Sequence, residues 1–129
     1  MSALNSDSNT YIVSITWMEE VEALHIGCAF DVKVSDNRVM ELLRLLNRIN
    51  EQMFVGHFDF WSEEAIVMYR HALVLPDGLS PTDKQCEILM SAALAACEQY
   101  YEAIQYVIGG NKTAREALEL VMFETVGEA

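Results

Sequence analysis

Residues 55–75, VGHFDFWSEEAIVMYRHALVL, gather two histidines, three carboxylates and an arginine in one stretch: His57, Asp59, Glu63, Glu64, Arg70 and His71, interleaved with aromatics. With His25 from an earlier segment, His57 and Asp59 form a set that could ligate a divalent cation, provided their strands were neighbours in register. No HxH, HExxH or paired CxxC motif fixes such a register, and a solvated sheet face explains the same residues. Nucleophilic chemistry is no better supported. Ser14, Ser62, Ser80 and Ser91 lack a G-x-S-x-G elbow, and Cys28 lies on the apolar parity of its strand. The pairs Glu19–Glu20 and Glu63–Glu64 fall in turns, where exposed carboxylates make poor general acids. Gly109–Gly110 is followed by NKT without the frame of a phosphate-binding loop. The reading is therefore no catalytic residue, no metal and no cofactor. What remains is a surface: Trp61, His57, Asp59, Arg70 and His25 on the outer side of a sheet, beside the small residues Gly27 and Ala29, a pattern suited to a protein contact.

The elements that must position these residues follow from periodicity. Tyr11, Val13, Ile15 and Trp17 alternate with Ile12, Ser14 and Thr16. In LHIGCAFDVKV, Leu24 to Val34 share one parity, with His25, Gly27, Ala29, Asp31 and Lys33 on the other. These runs predict an antiparallel hairpin. Residues 35–54 switch to helical spacing, with a stripe of Val39, Leu42, Leu43, Leu46, Ile49 and Met53, and Ser35 or Asp36 as N-cap. Asn47 and Asn50 near its end are placed to cap this helix or tie it to the sheet. HFDFW and AIVMYRHALVL predict two more strands joined through SEE. Phe58 and Phe60 take one face, and His57, Asp59 and Trp61 the other. Arg70 and His71 fall on opposite faces, so parity admits only one of them to a cluster with His57 and Asp59.

A second helix opens at LSPTDKQ, with Ser80 as N-cap and Pro81 at the first helical position, and stops at Gly109–Gly110. A third opens on the capping box Thr113-x-x-Glu116. The expected order is ββ-α-ββ-α-α, an α+β domain over residues 10–129 with an antiparallel sheet and helices mainly on one face. Residues 1–9 are polar and read as a flexible N-terminus.

Bulk properties narrow the class. The chain has 129 residues, 52% of them hydrophobic, which is one domain's worth with enough apolar side chains for a core. Net charge is −12, from 20 acidic and 8 basic residues spread along the chain. That field opposes nucleic acid backbones and anionic membrane surfaces and favours basic or amphipathic partners. The longest apolar run, ILMSAALAAC, is too short to cross a bilayer, and the N-terminus lacks the pattern of a secretory signal. Cys28, Cys86 and Cys97 fit no zinc or redox spacing, and Cys86 and Cys97 stand ~16 Å apart on one helix, too far for a disulfide. The expected location is the cytoplasm.

LHIGCAFDVKV, the helix containing LLNRIN, and GHFDFWSEEAIVMYRHALVL together resemble the YbjN family of bacterial proteins. CEQYYEAIQYVIGG and EALELVMFETVGEA are similar to its alphaproteobacterial members. The resemblance implies a fold like that of type III secretion chaperones, a homodimer, and the family's description as sensory transduction regulators. It supplies no catalytic residues. Family members usually begin with a helix and a further strand ahead of the segment that starts here at Tyr11. A chain lacking that layer is expected to bury the apolar stripe the helix would cover against a second copy, or to leave it as an exposed patch. The function expected is a non-catalytic protein–protein interaction module, chaperone-like or regulatory, with an unknown protein client. The alternative is a metal- or small-ligand-binding sensor, or an enzyme, built on His25, His57 and Asp59.

Overall fold

The computed structural model describes the backbone of residues 2–6 and 9–128 and the side chains of residues 11–122. Five strands and three helices occur in the order β1 (Ser2–Ser6), β2 (Asn9–Met18), β3 (Ala23–Phe30), α1 (Val39–Asn50), β4 (His57–Trp61), β5 (Ile66–Val74), α2 (Asp83–Ile108) and α3 (Ala114–Glu128). All strand pairs are antiparallel, in the spatial order β1-β2-β3-β5-β4. The fold class is α+β, as the alternation of strand and helix periods implies. The sheet gains one strand over the four expected. Residues 2–6, read as part of a flexible terminus, pair with β2 from Ser6↔Asn9 to Ser2↔Val13. Their polar composition hides a strand whose support is backbone hydrogen bonding to β2.

The inner face of the sheet carries Tyr11, Val13, Ile26, Cys28, Phe30, Phe58, Val67 and Tyr69, all buried. Aromatic rings join it to α2. Phe30 stacks on Tyr101 at 5.8 Å, and Phe58 meets Tyr100 edge-on at the same separation. Tyr11 Oη donates to a carboxylate oxygen of Glu98 on α2 at 2.8 Å. Cys28 and Cys97 meet across this layer. Their contact and burial push the Cys97 thiol far up, so it stays protonated and inert.

The buried stripe of α1 is Leu42, Leu45, Leu46 and Ile49. Leu43, expected inward, is exposed and Leu45 takes its place. The side chains that face inward are set by the packing of α1 against α2, α3 and β4, which centres the buried arc nearer Leu42 and Ile49. β3 stops at Phe30 although its alternation continues. Val34 is buried, but its N–H bonds to Ala65 O in the turn after β4 and not to a strand. α2 starts later than expected. Thr82, not Ser80, is the N-cap, in a reciprocal capping box with Gln85. The expected box at Thr113 and Glu116 is present.

α3 is held at its first turn by two carboxylates. Glu41 of α1 accepts the Ala114 N–H at 2.9 Å, and Glu116 accepts the Thr113 N–H. These backbone bonds, aided by Arg44 at Glu41 and Thr113 at Glu116, hold both glutamates below the usual range. A carboxylate whose folded value lies below its unfolded value stabilises the fold above the unfolded value, and that contribution is lost as pH falls through the folded one. The α3 amides should therefore begin to exchange faster as pH drops below about 4.5, ahead of the sheet amides. Hydrogen exchange at pH 6 and pH 3.5, corrected for intrinsic rates, checks this. Equal change in α3 and sheet would contradict it. Arg38 secures the other end of the α2–α3 connection by donating to the carbonyls of Val107 (2.8 Å) and Lys112.

Candidate functional site

Helices cover the inner face of the sheet, and on the outer face register decides which side chains meet. Gly27 on β3 lies opposite Arg70 on β5, which lies opposite His57 on β4. His25 stands opposite Ala72, so its ring sits diagonally beside Arg70. The absence of a side chain at Gly27 leaves room for the neighbouring long side chains: a Cβ there would press within 3.3 Å of Met68 Sδ and Ser14 Oγ.

Arg70 is the hub. Its Nη1 donates to Asp59 Oδ2 at 2.9 Å, and its Nε to His25 Nε2 at 3.3 Å. Its guanidinium carbon lies 5.7 Å from the centre of the Trp61 ring. Asp59 Oδ2 also meets His57 Nε2 at 3.1 Å. All five residues singled out from the sequence thus fall in one connected patch. Among them, Arg70 was the one whose face parity left open, and it joins the patch. His25 is held below the usual histidine range, first by partial burial and then by the charge of Arg70 and the nearby His57 and His71.

The geometry bears on the cation reading. The lone pair of His25 Nε2 faces the Arg70 N–H, and His57 Nε2 is engaged by Asp59. A guanidinium occupies the position a metal would need between His25 and Asp59. Among the described residues no group of three or more His, Cys, Asp or Glu side chains gathers closely enough to hold a metal.

Two further features border the patch, the first being the tie between helix and sheet expected of Asn47 or Asn50. Asn50, at the end of α1, grips the outer edge of β4: its Oδ1 accepts the Phe58 N–H at 2.8 Å and its Nδ2 donates to Phe58 O at 3.0 Å. Asn47, considered with it, bonds only Glu51 on the helix surface. The segment 54–56 closes one end of the patch. Gly56 has φ +73°, and a Cβ there would run into the Tyr69 ring. Tyr69 Oη in turn donates to Val55 O at 3.2 Å.

A groove of about 1100 Å³ runs between α1, α2 and α3. Arg44, Arg48 and Arg115 line it, but so do Glu41, Glu51 and Glu119, and two of the arginines are paired with these acids. Its lining carries no net sign of charge to select a ligand.

The family model YbjN, described as "Putative bacterial sensory transduction regulator", matches residues 2–106, more than half of the chain. The chain belongs to the YbjN family. No curated protein and no solved structure matches it. The YbjN match takes in all five strands, α1 and most of α2, and so includes β1 and every residue of the outer-face patch. α3 lies outside the matched span. No helix among the described residues is long and apolar enough to cross a membrane.

Proposed function

We propose that this YbjN chain is a non-catalytic protein–protein interaction module, chaperone-like or regulatory, that acts in the cytoplasm as a homodimer and offers the outer face of its sheet to a protein client. The observation that carries this reading is the division of the sheet. One face is filled by helices, while the other carries an ordered, partly exposed Trp61–Arg70–Asp59–His57–His25 patch. An organised polar patch around a half-exposed tryptophan and arginine has the composition of a recognition surface.

The dimer contact we infer is the second half of β2. β1 pairs with β2 only as far as Val13, and no described strand lies beside Ser14–Met18 on that side. Ile15 and Trp17 continue the core parity of β2 yet are 45% and 43% exposed, and Met18 beside them is 47% exposed. Open strand edges bearing apolar side chains pair with other strands. Residues 14–18, SITWM, are also uncharged within a chain of net charge −12, so two copies meet there with the least repulsion. By contrast, the β4 edge is occupied by Asn50 at Phe58.

Ile15→Lys places a charge on this contact at a side chain that is already 45% exposed. It should weaken self-association at least tenfold while leaving the far-ultraviolet circular dichroism unchanged. Sedimentation equilibrium of both proteins measures the effect. Added salt should tighten the wild-type dimer by screening like charge. Unchanged association in Ile15→Lys would move the contact elsewhere.

A further inference from the structure

All three histidines of the chain line one cleft. It opens where β4 begins: that strand's pairing starts at His57↔Arg70, and β5 runs on past it to Val74 with that edge open. His25, His57 and Arg70 border it from the outer face, and His71, of opposite parity, borders it from the open β5 edge. The fully exposed Phe54 and the tethered Gly56 make its remaining wall. Its volume is about 300 Å³, at the small end for ligand sites. No carboxylate is among the described residues that line it, although the chain carries 20 acidic residues against 8 basic ones.

We propose that this cleft binds an oxyanion, the phosphate or carboxylate group of a small molecule, with the Arg70 guanidinium as anchor and the three imidazoles as further donors. The contacts already made argue for an anion. Arg70 Nε and Nη1 are engaged by His25 and Asp59, which fix the plane of the guanidinium, while Nη2 has no partner among the described residues. Asp59 sits behind Arg70 and orients it without entering the cleft. Phe54 offers an apolar surface for the uncharged part of the ligand.

Binding is coupled to protons. The groups around the cleft are His25 from β3, His57 and Asp59 from β4, and Arg70 and His71 from β5; the 54–56 wall adds no charge. Burial first holds His25 and His71 below the usual range, followed by Arg70 and the neighbouring imidazoles in the case of His25 and by His57 in the case of His71. An anion in the cleft offsets both effects, so each imidazole gains a proton more readily when the site is filled, and affinity rises as pH falls. The gain is at most about tenfold per pH unit for each proton taken up. This inference stands whether or not the chain dimerises.

The test is proton NMR of the imidazole Cε1–H resonances of the full chain, titrated with pH in inorganic phosphate, in phenyl phosphate, in benzoate, and in sodium chloride at equal ionic strength. The site predicts that at least one of the three anions raises the titration midpoints of His25 and His71 relative to chloride. Its affinity should be several-fold tighter at pH 6 than at pH 7.5. Arg70→Gln should remove the response. His25→Gln, which keeps the anchor, should weaken it and reduce its pH dependence. Comparing the phosphates with benzoate separates the two ligand chemistries. Midpoints identical in all four salts, or shifts that persist in a folded Arg70→Gln protein, would overturn the proposal.

Discussion

Replacing Phe58 with alanine should destabilise the fold by about 3–5 kcal/mol, the usual cost of removing a fully buried ring. Phe58 is 1% exposed and sits where the edge of the sheet meets α2. Its ring meets Phe30 at 6.2 Å, Tyr69 at 5.7 Å and Tyr100 at 5.8 Å, all edge-on. Those three rings belong to β3, β5 and α2, so no one element can move to fill the space. The loss also spreads, because His57 and Asp59 flank Phe58 on the same short strand and depend on it for their place in the patch. Chemical denaturation at neutral pH measures the change through the midpoint and slope. A loss below about 1.5 kcal/mol would mean that the aromatic cluster is not the packed unit described.

Asn50→Ala should cost about 2–3 kcal/mol although Asn50 contributes almost nothing to the apolar core. Its carboxamide pairs with both the N–H and the C=O of Phe58 on the side of β4 that faces away from β5. The side chain thus does for one residue what a further strand would do. Alanine leaves both backbone groups without a partner next to a buried ring. Asn50→Asp separates this account from simple packing. It keeps the acceptor for the Phe58 N–H but turns a carboxylate toward the Phe58 carbonyl. It should lie between wild type and alanine at neutral pH and approach wild type in acid, as the carboxyl gains a proton it can donate. Equal stability of wild type and Asn50→Ala would show that water replaces the amide there at no cost.

The α+β class, the order from β2 to α3 and the patch residues were legible in the sequence because each rests on period. Strict alternation in residues 24–30 and 57–61 assigns faces without further information, and it put His25, His57, Asp59 and Trp61 on one side. Alternation cannot say which strands are neighbours. The placement of β5 between β3 and β4 makes Arg70 the common partner of His25 and Asp59, and turns a plausible ligand set into a hydrogen-bonded patch centred on a cation. Parity also admitted only one of Arg70 and His71 to that side. That limit fails at the cleft, where β5 outruns β4 and a residue of either face can border the opening. β1 was missed because Ser2–Ser6 lacks the apolar alternation that marks a strand, and the shift from Leu43 to Leu45 on α1 follows from packing against α2, α3 and β4, which helical period alone does not locate.

The self-association proposed for the open β2 edge is tested most directly by the mass of the intact chain in solution. Light scattering on a size-exclusion column, run from high to submicromolar concentration, should give twice the 14.6 kDa of one chain throughout. A species of 14.6 kDa at every concentration would contradict the homodimer and leave the exposed Ile15 and Trp17 without the partner proposed for them.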